Sequence, residues 1–278
     1  QDAILSLSYA YEEIGQFEEA FNNAMFYAQK DDFYGYLLLS ELYEKGIGVT
    51  QNTQKSNEYL KIACDKKFTQ NQTHVSIIFS RRKGVKADKE KAFFWAKISA
   101  ENGSAEGASI LGNFYFEKNE IEKALEWGKK GSERGDVSSL RLLSKIYGKL
   151  NNDEYEIKFL NEAAEKGDEK SMIKLGKIYQ KKLKEFNSAL FWFKKAADNM
   201  NPVGCFLYGE MMINGTQVEK NVQEGLKFLN LSADLNNLNA IELLAEIYKN
   251  GNFDVKKDEN KATEYYKKLI ELKNIQSK

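Results

Sequence analysis

The chain has 278 residues, with forty-one Lys and Arg set against forty-one Asp and Glu, one His, two Cys and a single Pro. Zero net charge gives no global attraction to nucleic acid or to an anionic membrane, and no apolar run of about 18 residues is present to span a bilayer. One His, and two Cys without CxxC spacing, offer no multi-histidine metal site, no disulfide framework and no expected cofactor.

Apolar content of 42% is enough for a buried core. Proline breaks helices, so a chain with one proline can be helical throughout. Taken in chain order, one block recurs eight times. Its first helix, helix A, carries LSYAY at Leu7, LSELY at Leu39, VSIIF at Val75, LGNFY at Leu111, LSKIY at Leu143, LGKIY at Leu175, YGEMM at Tyr208 and LAEIY at Leu244. Its second, helix B, is marked by Asn23, Tyr59, Trp95, Trp127, Phe159, Trp192, Phe228 and Tyr265. The copies occupy approximately residues 1–31, 32–67, 68–103, 104–135, 136–167, 168–200, 201–236 and 237–273, as one array over 1–278. Helical period is plain in 88–102, where Ala92, Trp95, Ile98, Ser99 and Asn102 share a stripe.

The spacings separate constraint from freedom. From each helix B marker to the next helix A marker the step is always 16 residues. Within a repeat, the step from the end of the A string to the Lys-Ala alanine position is 9, 13, 13, 9, 9, 10, 13 and 14. A fixed junction implies that each repeat docks on its predecessor in one geometry, whereas the hairpin loop lies at an edge and can grow. Gly103, Gly135 and Gly167 follow helix B where a left-handed cap is expected, and repeats one and eight carry Asp31 and Lys273 there. Ala28, Ala100, Ala164, Ala197 and Ala233 are the small residues expected where helices approach closely.

These residues resemble the Sel-one-like repeat family, a branch of the tetratricopeptide-like solenoids, with its LGxxY, GxGV, Lys-Ala, Trp and Ala-Ala-Glu-x-Gly elements. Residues 35–49 and 83–103 fit best; repeats one, four, five and six lack the GxGV loop. The resemblance implies an all-α, right-handed α/α superhelical solenoid of helix-turn-helix repeats, with helix A lining the concave side. It also implies a non-enzymatic scaffold or adaptor that binds a protein or peptide. Alternatives within the family are a bacterial secretion, host-interaction or toxin-neutralising role; a glycan or small-ligand binder using Tyr9, Tyr34 and Phe206 is a separate class.

Groove positions in such repeats lie at −5, −2, +2, +5 and +6 from the A marker. Transferred to this chain they give Tyr9, Tyr34, Leu37 and Glu41 at one end. Arg141, Lys145, Lys149, Lys170, Lys177 and Lys181 form a basic middle, and Phe206 and Glu210 follow. A basic stripe suits an acidic segment on the partner. No catalytic residue is expected: His74 has no nucleophile or second His tied to it and is expected to be a solvated helix residue. Cys64 and Cys205 are expected as small buried hydrophobes, and Trp95, Trp127 and Trp192 as core. Gln1 in place of Met points to processing or truncation. A removed signal peptide would put the chain in a secreted, periplasmic or ER-luminal space, and its absence would put it in the cytoplasm. Ile4, Leu5 and Leu7 lack a polar cap, so further sequence or a partner is expected over this end.

Overall fold

In a computed structural model the described residues are 2–81, 88–215 and 217–276, and among them are sixteen α-helices and no strand. The first nine are α1 (Asp2–Glu13), α2 (Phe17–Ala28), α3 (Phe33–Lys45), α4 (Thr53–Ala63), α5 (Thr69–Arg81), α6 (Lys89–Glu101), α7 (Ala105–Glu117), α8 (Ile121–Glu133) and α9 (Val137–Lys149). The remainder are α10 (Asp153–Glu165), α11 (Glu169–Ile178), α12 (Phe186–Asp198), α13 (Pro202–Asn214), α14 (Val222–Asp234), α15 (Leu238–Asn250) and α16 (Glu259–Gln276). The expected all-α fold is thus what the chain forms, with odd-numbered helices as A and even-numbered as B. The KGV loop at 83–85 lies outside the described residues.

The constant junction has a specific chemical cause. Eight residues past the B marker the backbone turns left-handed: φ is +55° at Asp31, +100° at Gly103, +89° at Gly135, +87° at Gly167, and +61° at both Met200 and Asn236. The next residue caps the following helix. Side chains of Asp32, Ser104, Asp136, Asp168, Asn201 and Asn237 accept hydrogen bonds from the first-turn amides of α3, α7, α9, α11, α13 and α15. The same residues donate their own N–H backwards, Ser104 to Ser99 O at 3.0 Å and Asp136 to Gly131 O at 3.1 Å, closing the preceding helix. The third repeat departs from this. Phe68 stands at the cap position, a 3₁₀ turn over Lys66–Phe68 leads into α5, and the Phe68 ring lies 5.6 Å from Phe33.

Hairpin loops show the opposite behaviour. Repeats one, four and five have the nine-residue step, and repeat six has ten. The extra residue is absorbed as a π-helical turn over Tyr179–Leu183, ending at Lys184 with φ +59°. In repeat four the Glu120 N–H reaches Tyr115 O at 2.9 Å; in repeat six the Glu185 N–H reaches Tyr179 O at the same 2.9 Å, one residue later. In a longer loop, Gly48 has φ +66° and an added Cβ would fall 2.0 Å from the Phe17 carbonyl oxygen, so only glycine fits.

The core follows the repeat markers. Trp95 and Trp192 are buried and Trp127 is half-buried under the Lys130 ammonium, 4.3 Å from its ring. Ala28, Ala100, Ala164, Ala197 and Ala233 are all buried. Two compact units form, 1–151 and 152–278. The division falls inside the fifth sequence repeat. That repeat is also unusual at the Lys-Ala alanine position, where Ala20, Ser56, Ala92, Ala124, Ala189, Gly225 and Ala262 stand elsewhere and Glu156 stands here. The Glu156 carboxylate keeps 12% exposure and pairs with Lys174 at 2.7 Å within its own unit.

Deletion of Lys184 is expected to convert repeat six to the nine-residue hairpin and to preserve cooperative thermal unfolding close to that of the parent. Deletion of the junction residue Lys166 turns every following side chain by about 100° around its helix and is expected to abolish cooperative unfolding. Circular-dichroism melts of the two variants test the asymmetry.

Candidate functional site

At the N-terminal end of the first unit the expected groove residues are internal. Tyr34 and Leu37 are 0% and 2% exposed and belong to the apolar cluster that contains Phe33, Leu38 and Trp95. In α3, Phe33, Tyr34, Gly35 and every residue from Leu37 to Tyr43 are buried, and Leu37, Ser40 and Glu41 reach solvent only at the floor of a depression of about 240 Å³. Glu41 is buried as well: its carboxylate accepts from the Tyr9 hydroxyl at 2.7 Å and pairs with Lys91 at 2.5 Å. Burial, and then the charge of Glu41, push the Tyr9 phenol pKa well up, so it stays a neutral donor. The tie joins α1, α3 and α6. Tyr34, Leu37 and Glu41 are therefore corrected from open groove lining to buried positions, and the half-buried Tyr9 packs against their cluster with its hydroxyl taken by Glu41. The glycan reading loses Tyr34 for the same reason.

A depression does open further along the same unit. Gln70, Thr73, His74 and Ile77 of α5 face Ser104 and Glu106 at the start of α7 across about 520 Å³. Gln70, Thr73 and Ile77 are the −5, −2 and +2 positions relative to Val75, and Glu106 is −5 relative to Leu111. The groove offsets locate this site, but a search for aromatic and charged positions passes over it. Thr73 is buried and its hydroxyl bonds with the Ser99 and Ser104 hydroxyls, which fixes the floor. His74, half-buried, forms part of the wall and is not the solvated residue expected.

Beyond it, α9 presents the basic positions. The ammonium groups of Lys145 and Lys149 lie 4.6 and 5.1 Å from the centre of the same ring, Phe116 of α7. Lys149 also donates to Asn119 Oδ1 at 2.7 Å, and the half-buried Arg141 donates to Ser138 Oγ at 2.9 Å. Neither Lys145 nor Lys149 has a carboxylate partner among the described residues. Two like charges beside one aromatic ring, neither with a carboxylate partner among the described residues, make a positive locus.

In the second unit Lys170, Lys177 and Lys181 are exposed, and none forms an ion pair among the described residues. Their neighbours do: Lys174 with Glu156, and Lys182 with Asp153. Lys181 lies in the π turn, so its phase departs from the α-helical stripe of Lys170 and Lys177. Phe206 is half-buried against the cluster around Ile213. Glu210 is half-buried, and burial raises its carboxyl pKa. Cys205 is buried and Cys64 half-buried, both free, with burial raising both thiol pKa values; neither is an activated nucleophile. Among the described residues no three His, Cys, Asp or Glu side chains are grouped to hold a metal, and no helix is long and apolar enough to cross a membrane.

Stacked helix pairs, a one-residue joint between them and lining positions at fixed offsets define a helix-turn-helix repeat protein of the solenoid class. The chain belongs to the Sel1 repeat family, which matches residues 34–68, 74–104, 111–136, 170–199, 202–237 and 239–274. The fifth sequence repeat, with Glu156, lies almost wholly outside these matches. Among solved structures the chain is similar to c5321, a protective antigen of uropathogenic Escherichia coli strains with an SLR fold. Identity is 25% and the TM-score 0.62, over 97% of this chain and 61% of that one, so the chain spans about three fifths of that protein's length. A Sel1 repeat protein from Oxalobacter formigenes matches at 19% identity and TM-score 0.67, over 96% of this chain and 83% of that one. An immunity protein of Pseudomonas aeruginosa, PA5088, shares the fold at 14% identity and TM-score 0.50, over 74% and 82% of the two chains. No curated protein sequence matches the chain.

Glu210 supplies a test of the second unit's lining. A carboxyl whose folded pKa is raised makes stability fall as pH climbs from the unfolded value through the folded one. Glu210→Gln is therefore expected to raise the melting temperature relative to the parent at neutral pH, and the gain should vanish below about pH 4, where the unfolded-state carboxyl is also protonated. Paired melts at the two pH values measure it.

Proposed function

We propose that the chain is a non-enzymatic scaffold that binds another protein or peptide along its helix A faces, and that the partner contributes an acidic segment. The eight-fold repeat partition is part of the same proposal, because it generates the offsets used. The observation that carries it is in the first unit. Groove offsets lead from the depression between α5 and α7 to Phe116, where Lys145 and Lys149 converge without a counter-ion. Carboxylates placed there gain charge-assisted hydrogen bonds and relieve the repulsion between the two ammonium groups. Lys170 and Lys177 offer a second, separate set of unpaired cations on α11.

Fluorescence anisotropy with a fluorescein-labelled Asp- and Glu-rich peptide, and an Asn- and Gln-rich control of the same length, tests this. The acidic peptide is expected to bind and the control not. The Lys145→Glu/Lys149→Glu variant should lose about tenfold or more in affinity, and the loss should shrink as salt rises. Equal binding by parent, this variant and a Lys170→Glu/Lys177→Glu variant would remove both basic loci from the model.

A further inference from the structure

The residue immediately before each helix B marker is exposed in all eight repeats. Six of them carry a polar or charged side chain there: Asn22, Glu58, Glu126, Lys158, Lys227 and Glu264. The other two carry phenylalanine, Phe94 and Phe191, exposed by 39% and 52%. The position thus belongs to solvent, and folding the repeat does not require an aromatic there. Phe191 packs edge-on to the core Trp192, with ring centres 5.1 Å apart, but half of it remains in water. Exposing a large aromatic at a place six sister repeats fill with polar groups is a cost that a partner would offset.

The surroundings of the two differ in what they leave free. Beside Phe94 the depression is about 240 Å³ and its cation, Lys91, is already paired with Glu41. Beside Phe191 about 490 Å³ is open, bounded by Asn187, Leu190, Lys194, Lys195, Asp198 and Tyr208. The Tyr208 hydroxyl is taken by Glu224 at 2.6 Å and Lys194 is paired with Asp198 at 3.3 Å. Lys195 is exposed, lies 4.7 Å from the Phe191 ring centre, and has no carboxylate partner among the described residues. One apolar wall, one apolar-floored recess and one uncommitted cation therefore stand together on α12.

We propose that this α12 face is a second docking surface, on helix B rather than on the helix A groove, for a partner segment that carries a large apolar side chain close to a carboxylate. The apolar side chain enters the recess against Phe191 and Leu190, and the carboxylate meets Lys195. Phe191 is the anchor, since a half-exposed aromatic beside a recess loses the most water on contact. Lys195 selects acid over amide by charge. The recess is of a size that takes one large side chain and its neighbours.

The test is a phage-displayed random peptide library selected on the wild-type chain. Enriched peptides are synthesised, and their affinities are measured by anisotropy against wild type, Phe191→Glu, Phe191→Lys, Lys195→Gln and the control Lys227→Glu. Glu and Lys occur at this position in sister repeats, so both Phe191 variants should melt close to wild type. Peptides pairing an aromatic or large aliphatic residue with Asp or Glu are expected. They should lose about tenfold or more on either Phe191 variant and about threefold on Lys195→Gln, with no change on Lys227→Glu. Any one of three results would overturn the proposal: no enriched peptide, enriched peptides that bind Phe191→Glu as well as wild type, or binding indifferent to replacing the carboxylate by amide. Self-association in sedimentation velocity that Phe191→Glu abolishes would also overturn it, because the occupant would then be a second copy of the chain. The groove variants Lys145→Glu/Lys149→Glu should leave these affinities unchanged, which keeps the two surfaces separable.

Discussion

One residue placed between helices B and A governs the architecture. At Asp32, Ser104, Asp136, Asp168, Asn201 and Asn237 the backbone N–H closes the helix behind, while the side chain caps the helix ahead. Both bonds satisfy amide or carbonyl groups that a helix end otherwise leaves open. Because the same residue serves both, no spacer can be inserted without losing one of them. The left-handed residue just before it makes the turn that brings the two helices to that residue. Glycine is the cheapest occupant, but Asp31, Met200 and Asn236 take the same conformation, so the geometry is the requirement and the residue type is secondary. At six of the seven junctions the 16-residue step is the trace of this joint; before α5 a 3₁₀ turn ending at Phe68 keeps the same step without it.

Freedom at the other end of each repeat follows from the same logic. A hairpin loop has no shared residue, so it needs only to return the chain at the start of helix B. Repeat six restores the bond to Tyr179 O after one extra residue by widening its last turn. A looser turn costs less than a broken joint, and so length variation collects in the hairpins. Glu156 marks a different kind of departure. A carboxylate cannot take the place of an alanine at a close helix contact, and here it is neutralised by Lys174 instead. The coincidence of that residue with the division into two units makes the fifth repeat the place where the regular rule changes.

What could be seen in the sequence alone was what depends on position along one helix. The helix pairs, the left-handed caps at Gly103, Gly135 and Gly167, and the buried Trp95 and Trp192 all follow from period and spacing. The ten-residue step of repeat six was visible, but not that a π turn would take it up. The groove offsets fail at the start of the array. Tyr34 sits at the −5 offset, which is open at Gln70 of α5 and Glu106 of α7, but around α3 the neighbouring helices close over it. Burial of that kind is a property of what surrounds a helix, and a single-helix offset cannot report it. Glu41 was misjudged for the same reason, since its partners Tyr9 and Lys91 lie 32 and 50 residues away. The depression beside His74 was missed because a void has no residue signature, even though its lining obeyed the offsets.

A repeat chain carries its own controls, and these sharpen the distinction between packing and function. Each helix position has counterparts in the other repeats, and comparing their burial shows what the fold itself needs. Where all copies agree, as the seven junction steps do, geometry is the cause. Where most are polar and exposed and one or two are aromatic and exposed, folding cannot be the cause, because the same fold is made without them. Phe191 is singled out by this comparison, and burial alone would have passed it over as one exposed hydrophobic among many. Lys145 and Lys149 are singled out by a different one: Lys194 and Lys227 also share a ring, Phe228, but Lys194 is paired with Asp198, whereas neither Lys145 nor Lys149 has a carboxylate partner among the described residues. Within each unit the joint is what lets small, similar contacts present dissimilar surfaces on the two kinds of helix.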